Sequence, residues 1–129
     1  MTKLIHVAVG IIKNTHDQIL IAKRAENAHQ GGLWEFPGGK VEEAESVFDA
    51  LKREFEEEVS LEINSAEPFM EIHHDYGDKK VFLDIWLCND FSGTACGAEG
   101  QLIEWVELDR IDRYAFPEAN KAIIKRLKA

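Results

Sequence analysis

Gly39-x5-Glu45-x7-Arg53-Glu54-Phe55-Glu56-Glu57-Glu58-Val59-Ser60-Leu61 decides the fold of this chain, because it joins a glycine-rich loop to an amphipathic helix carrying clustered acids. Ser46 with Asp49 three residues later is a capping-box pattern that opens the helix. Val47, Leu51, Phe55 and Val59 recur at i+4 and form its apolar stripe. At about 100° per residue, Glu57 and Glu58 flank Glu54 on one narrow face. Like charges at this spacing repel by a few tenths of a kcal/mol per pair. A bound cation offsets the repulsion, and an all-oxygen donor set suits Mg2+, with Mn2+ also possible. The competing reading is a solvated acidic face. Such faces intersperse Lys at i+4, whereas only Arg53 offsets Glu57 here, so the metal reading leads. Arg53 reads either as a surface ion pair or as the group that orients the glutamates through charge-assisted hydrogen bonds, and its place beside Glu54 favours the second.

Outward from this helix, Leu4 to Ile12 and Gln18 to Ala22 are rich in Val and Ile around the turn Asn14-Thr15-His16-Asp17, which predicts a hairpin. Lys23 to Glu45 shows no sustained periodicity and holds Gly31-Gly32 and Pro37-Gly38-Gly39, the marks of a long functional loop. Pro68 to His74 and Lys80 to Cys88 read as strands around Asp75-Tyr76-Gly77-Asp78, followed by a strand over Leu102 to Leu108. A last helix over Lys121 to Leu127 buries Ile123, Ile124 and Leu127. This order predicts an α+β fold, a three-layer α/β/α sandwich with a central mixed sheet and one helix on each side.

With 129 residues, 45% hydrophobic, the chain suits one domain spanning 1–129. Its net charge of -9 offers no basic stripe for a nucleic-acid polymer, while a small anionic substrate remains compatible if metal supplies local positive charge. Cys88 and Cys96 lack metal-ligand spacing and are too few for a disulfide scaffold, and no cleavage pattern follows the first apolar run. The chain is read as cytoplasmic, without membrane association.

The acidic stretch resembles the box of the Nudix family, Gly-x5-Glu-x7-Arg-Glu-U-x-Glu-Glu-x-Gly-U, where U is bulky and aliphatic. Phe55 replaces the first U and Ser60 replaces the second glycine, at roughly 1 kcal/mol of strain if the left-handed backbone is kept. Val9-Gly10-Ile11-Ile12, Trp34-Glu35-Phe36-Pro37-Gly38-Gly39-Lys40, Glu99-Gly100-Gln101 and Phe116-Pro117-Glu118-Ala119-Asn120 extend the resemblance over the chain. They are similar to family members that hydrolyse 8-oxo-dGTP to the monophosphate and pyrophosphate. The resemblance implies the Nudix fold, a monomer, and metal held by Glu54, Glu57, Glu58, Glu99 and the Gly38 carbonyl. It implies that Glu54, Glu45, Arg53 and Glu99 serve catalysis, with Glu54 the first choice of general base and Glu45 and Glu99 its rivals. Arg24, His29, Glu35, Phe36, Pro37 and Gly38 would line the nucleotide site, with Asp78 closing over the base.

Oxidation at C8 turns guanine N7 into an N–H donor beside the O6 acceptor, and a side-chain amide complements both. Asn120 is the residue expected to read this edge; the competing reading is an N-cap for the last helix. Arg24, Phe36 and His29 each carry a bland alternative as surface pair, core residue or solvated loop group. His73 and His74 point to opposite faces of a strand and receive no role, and Trp34, Trp86 and Trp105 read as packing groups. Two other functions compete: Nudix hydrolysis of a pyrimidine nucleoside triphosphate, and a non-catalytic nucleotide-binding module, which the complete acid set disfavours.

Overall fold

In a computed structural model that describes residues 3–24 and 32–129, alternating strands and two helices follow the chain. They are β1 (Lys3–Ile12), β2 (Gln18–Lys23), β3 (Trp34–Glu35), β4 (Gly38–Lys40), α1 (Val47–Val59), β5 (Glu62–Asp75), β6 (Lys79–Ser92), β7 (Ile103–Glu107), a 3-10 helix (Leu108–Arg113) and α2 (Glu118–Lys128). A mixed sheet has the order β4-β1-β6-β5, in which β1 runs parallel to β6 and antiparallel to β4. A second, antiparallel sheet has the order β3-β2-β7.

Period-two alternation divides the apolar residues of both sheets between two cores. Ala8 and Ile12 of β1, Leu20 of β2 and Cys88 of β6 pack with Leu51, Phe55 and Val59 of α1. Val9, Ile11, Ile19, Ile21 and Ile85 face the other way and pack with Ile123 and Ile124 of α2. The result is a three-layer α/β/α sandwich whose middle layer comprises two sheets, each feeding both cores. α1 lies close on β1 because residue 10 is glycine: a Cβ there would stand 2.5 Å from the Phe55 ring.

The structure refines three expectations. The β1–β2 hairpin shrinks to one bridge, Lys13 to Ile19, because the two sides of β1 are occupied by β4 and β6 while β2 pairs in the other sheet. The long loop contains β3 and β4, which span two and three residues and are too short to show a period. α2 begins at Glu118 with Pro117 as its N-cap residue and no capping side chain, so Asn120 lies inside the first turn and the cap reading is overturned. The Ser46 hydroxyl does cap α1, accepting from the Asp49 amide at 3.1 Å. Among the described residues no helix is long and apolar enough to cross a membrane.

Candidate active site

Arg53 organises the acidic end of α1. Its Nε and one terminal nitrogen donate to the two oxygens of Glu45, each at 2.9 Å, and its other terminal nitrogen donates to Glu54 Oε1 at 2.8 Å. A further bond to the Lys40 carbonyl at 3.0 Å ties the helix to β4. This fork geometry belongs to guanidinium and not to the point charge of lysine. The hydrogen bonds from Arg53, then that from the Glu42 amide, hold the Glu45 carboxyl down at about 2. Glu57 remains largely exposed, 3.8 Å from Arg53.

Glu58 has the opposite environment. Burial pushes its carboxyl up to about 8, aided by the negative charges of Glu54, Glu35 and Glu99 and by a hydrogen bond with Glu54. Its Oε2 is buried with no hydrogen-bonding partner among the described residues. A buried carboxyl with an orphaned oxygen beside other carboxylates must either hold a proton or meet a cation, so this donor set fits a hard divalent ion that displaces the proton. Among the described residues no three acidic, imidazole or thiol side chains are placed to hold a metal by themselves. Substrate phosphates and water complete the shell where Mg2+ binds through one or two carboxylates.

Glycine and the helix terminus set these positions. A Cβ on Gly39 would fall 2.3 to 2.5 Å from the Glu54 carboxyl, so the carboxylate occupies the space that a side chain would fill. The last carbonyls of a helix need outside donors. Glu58's carbonyl accepts from the Ala98 amide at 3.0 Å and from Gln101 Nε2 at 2.9 Å, while Val59's accepts from the Cys96 amide at 3.0 Å. These bonds fasten the 96–101 loop to α1 and bring Glu99 into the electrostatic neighbourhood of Glu58. Ser60 keeps the left-handed conformation of the box glycine, at φ 61°. Its hydroxyl accepts from Cys96 Sγ at 3.1 Å.

A cavity of about 490 Å³ opens beside the acids. Arg24, Glu35, Phe36, Gly38 and Asn120 line it, together with Val7, Val9, Gly39, Lys40, His74, Tyr76, Leu83 and the first residues of α2. Arg24 lies 3.4 Å from Glu35, whose carboxyl is raised by burial and partly lowered again by that arginine. Phe36 is buried and stacks on Phe116 at 5.2 Å, so it is both core and wall. Neither Pro37 nor Asp78 lines this cavity: the Pro37 carbonyl accepts from Gly10, and Asp78 lies in the β5–β6 turn. His29 lies outside the described residues. The sequence assigns no role to His74, Tyr76 or Leu83, because the cavity collects them from β5, the β5–β6 turn and β6; Lys40 and Gln101 stand in the quoted motifs without a reason for their side chains.

The chain is similar to an 8-oxo-dGTP diphosphatase of Escherichia coli, at 37% identity over 98% of both chains. It is also similar to a CTP pyrophosphohydrolase of Escherichia coli, at 33% identity over 98% of this chain and 93% of that one. A solved structure of MutT, from work on the Aliivibrio salmonicida and Vibrio cholerae proteins, superposes with a TM-score of 0.86 at 40% identity, covering 97% of each chain. The NUDIX domain family model matches residues 8–126, nearly the whole of the sequence. With Arg53 binding Glu45 and Glu54 of the box, and Gly39 between Glu54 and a cavity of about 490 Å³, this chain belongs to the Nudix family.

Proposed function

We propose that this Nudix hydrolase is an 8-oxo-dGTP diphosphatase that releases 8-oxo-dGMP and pyrophosphate and keeps oxidised guanine out of DNA. One observation carries the reading: the cavity lined by Asn120 is also lined by Glu35, whose charge acts on the orphaned Glu58 carboxyl, and by Gly39, against which the Glu54 carboxyl packs. Nudix chemistry needs a divalent metal, and Mg2+ is the ion proposed, held by Glu54 and Glu58 with Glu57, Glu99 and the Gly38 carbonyl as further donors. When bound, it neutralises phosphate oxygens and makes water easier to deprotonate.

The chain's own residues do the rest. Glu54 takes a proton from the attacking water, which adds to the β-phosphorus as the bond to the bridging oxygen of the α-phosphate breaks. Glu45 is a poor base because Arg53 occupies both its oxygens and holds it ionised at about 2, far below the operating pH. Glu99 is the remaining rival. Arg53 acts as a positioning residue, keeping Glu54 against Gly39. Arg24 supplies positive charge within the cavity. The Asn120 carbonyl accepts from N7–H of the oxidised base while its amide donates to O6; normal guanine presents a lone pair to that carbonyl. The protein is proposed to act as a single-domain cytoplasmic monomer on free nucleotides, which its net charge of -9 supports.

The test is a panel of canonical and oxidised nucleoside triphosphates at low micromolar concentration with Mg2+, ranked by kcat/KM from monophosphate release. The proposal expects 8-oxo-dGTP to rank first. A pyrimidine triphosphate in first place would replace it with the reading that the similarity to CTP pyrophosphohydrolase favours. No Mg2+-dependent pyrophosphate release from any of them would leave only a binding module.

A further inference from the structure

β5 carries two successive histidines, and the strand sends them to different tasks. His73 stacks on Phe82 at 4.6 Å, and Phe82 stacks in turn on His6 at 4.6 Å. His74 instead lines the substrate cavity, with its ring centroid 4.3 Å from that of Tyr76, another lining residue. Tyr76 is 53% exposed and His74 is exposed beside it, so both rings are open to a ligand. The turn orders the Tyr76 backbone, with its amide donating to the Lys79 carbonyl at 2.8 Å and the Gly77 amide to Asp75 Oδ1 at 2.8 Å, while Lys79 Nζ lies 5.5 Å from the Tyr76 ring centre. Val7, Val9 and Leu83 contribute apolar surface to the same cavity. Apolar walls and an ordered, exposed aromatic pair complement the flat face of a base, whereas Asn120 complements its edge.

We propose that His74, braced by Tyr76, is a base-stacking residue that sets affinity for the nucleotide without contributing to the choice between oxidised and normal guanine. This rests on the nucleotide-hydrolase reading above and deepens it by dividing recognition of the face from recognition of the edge. Stacking is indifferent to the identity of the edge atoms, so its loss weakens all purine substrates alike.

The experiment measures kcat and KM for 8-oxo-dGTP and dGTP in the wild-type protein and in His74→Ala, His74→Phe and His73→Ala, after checking that each melts like the wild type. His74→Ala is expected to raise KM for both substrates by about tenfold, with kcat and the ratio of specificity constants unchanged. His74→Phe, which keeps a ring but removes the polar nitrogens, is expected to restore KM to within about threefold of wild type, and His73→Ala to change nothing. Unchanged KM in His74→Ala, a changed substrate ratio, or a Phe variant as weak as the Ala variant would overturn the proposal, the last by assigning His74 a polar contact. If the wild type itself shows no preference for 8-oxo-dGTP, the parent reading fails separately, and the same KM comparison on the preferred triphosphate still decides the role of His74.

Discussion

The acidic end of the site and the cavity proposed to bind the base are built in different ways. At the acidic end, residues 39 to 58 come from one continuous stretch and are locked by a fork of hydrogen bonds from Arg53. At the base end, Val7, Arg24, Phe36, His74, Leu83 and Asn120 arrive from separate elements and mostly offer shape. The contrast teaches that the acids are held by a prebuilt local network, while the cavity exists only once the whole sandwich has assembled.

The largest effect is expected from Glu54→Gln. Losing the proton acceptor is expected to lower kcat by about 10²- to 10⁴-fold with the melting temperature little changed. Near-normal turnover in this variant would move the base to Glu99 and weaken the claim that the Arg53 network is the catalytic end. At the other end, Asn120→Ala is expected to reduce the preference for 8-oxo-dGTP over dGTP by roughly 10- to 100-fold while slow hydrolysis continues. An unchanged ratio of specificity constants would remove Asn120 as the reader of the base.

Legibility in the sequence follows the same division. The glutamates, Arg53 and the Ser46 cap stand at helical spacings, so α1 could be placed from its pattern, and the Val- and Ile-rich runs of β1 and β2, with the order of the elements, made the layered fold readable. β3 and β4 are too short for a period, and the parallel pairing of β1 with β6 leaves no local mark. Asn120 illustrates the cost of placing a helix start by side-chain type: Pro117, with its fixed φ, ends the extended chain and places Asn120 one turn deeper. The sequence gives His74 no role for a related reason, since which face of β5 meets the cavity is decided by pairing with β6.

Acid titration sharpens the comparison from the stability side. Glu45 in the folded protein sits at about 2, against an ordinary value of 4.5. A depressed folded value means that the ion-pair contribution is complete above about pH 4.5 and disappears as pH falls toward 2. Melting temperature followed across that window is expected to drop more steeply in the wild type than in Glu45→Gln; parallel curves would show that the fork adds nothing to stability.

The smallest effect belongs to Ser60, whose φ of 61° is a conformation glycine adopts without strain. Ser60→Gly is expected to gain up to ~1 kcal/mol and raise the melting temperature by about 4 °C, with kcat/KM unchanged. A fall in stability would show that the Cys96–Ser60 hydrogen bond outweighs the backbone cost.

The central claim is that the carboxylates of α1 capture a divalent cation beside the nucleotide. Calorimetric titration of Mg2+ into the protein with a nonhydrolysable 8-oxo-dGTP analogue tests it most directly. The account predicts saturable uptake in the wild type, weakened at least about tenfold in Glu58→Gln, where a carboxyl that can ionise to meet the cation is replaced by an amide that cannot. Absence of uptake in the wild type, or identical isotherms for the two proteins, would contradict it.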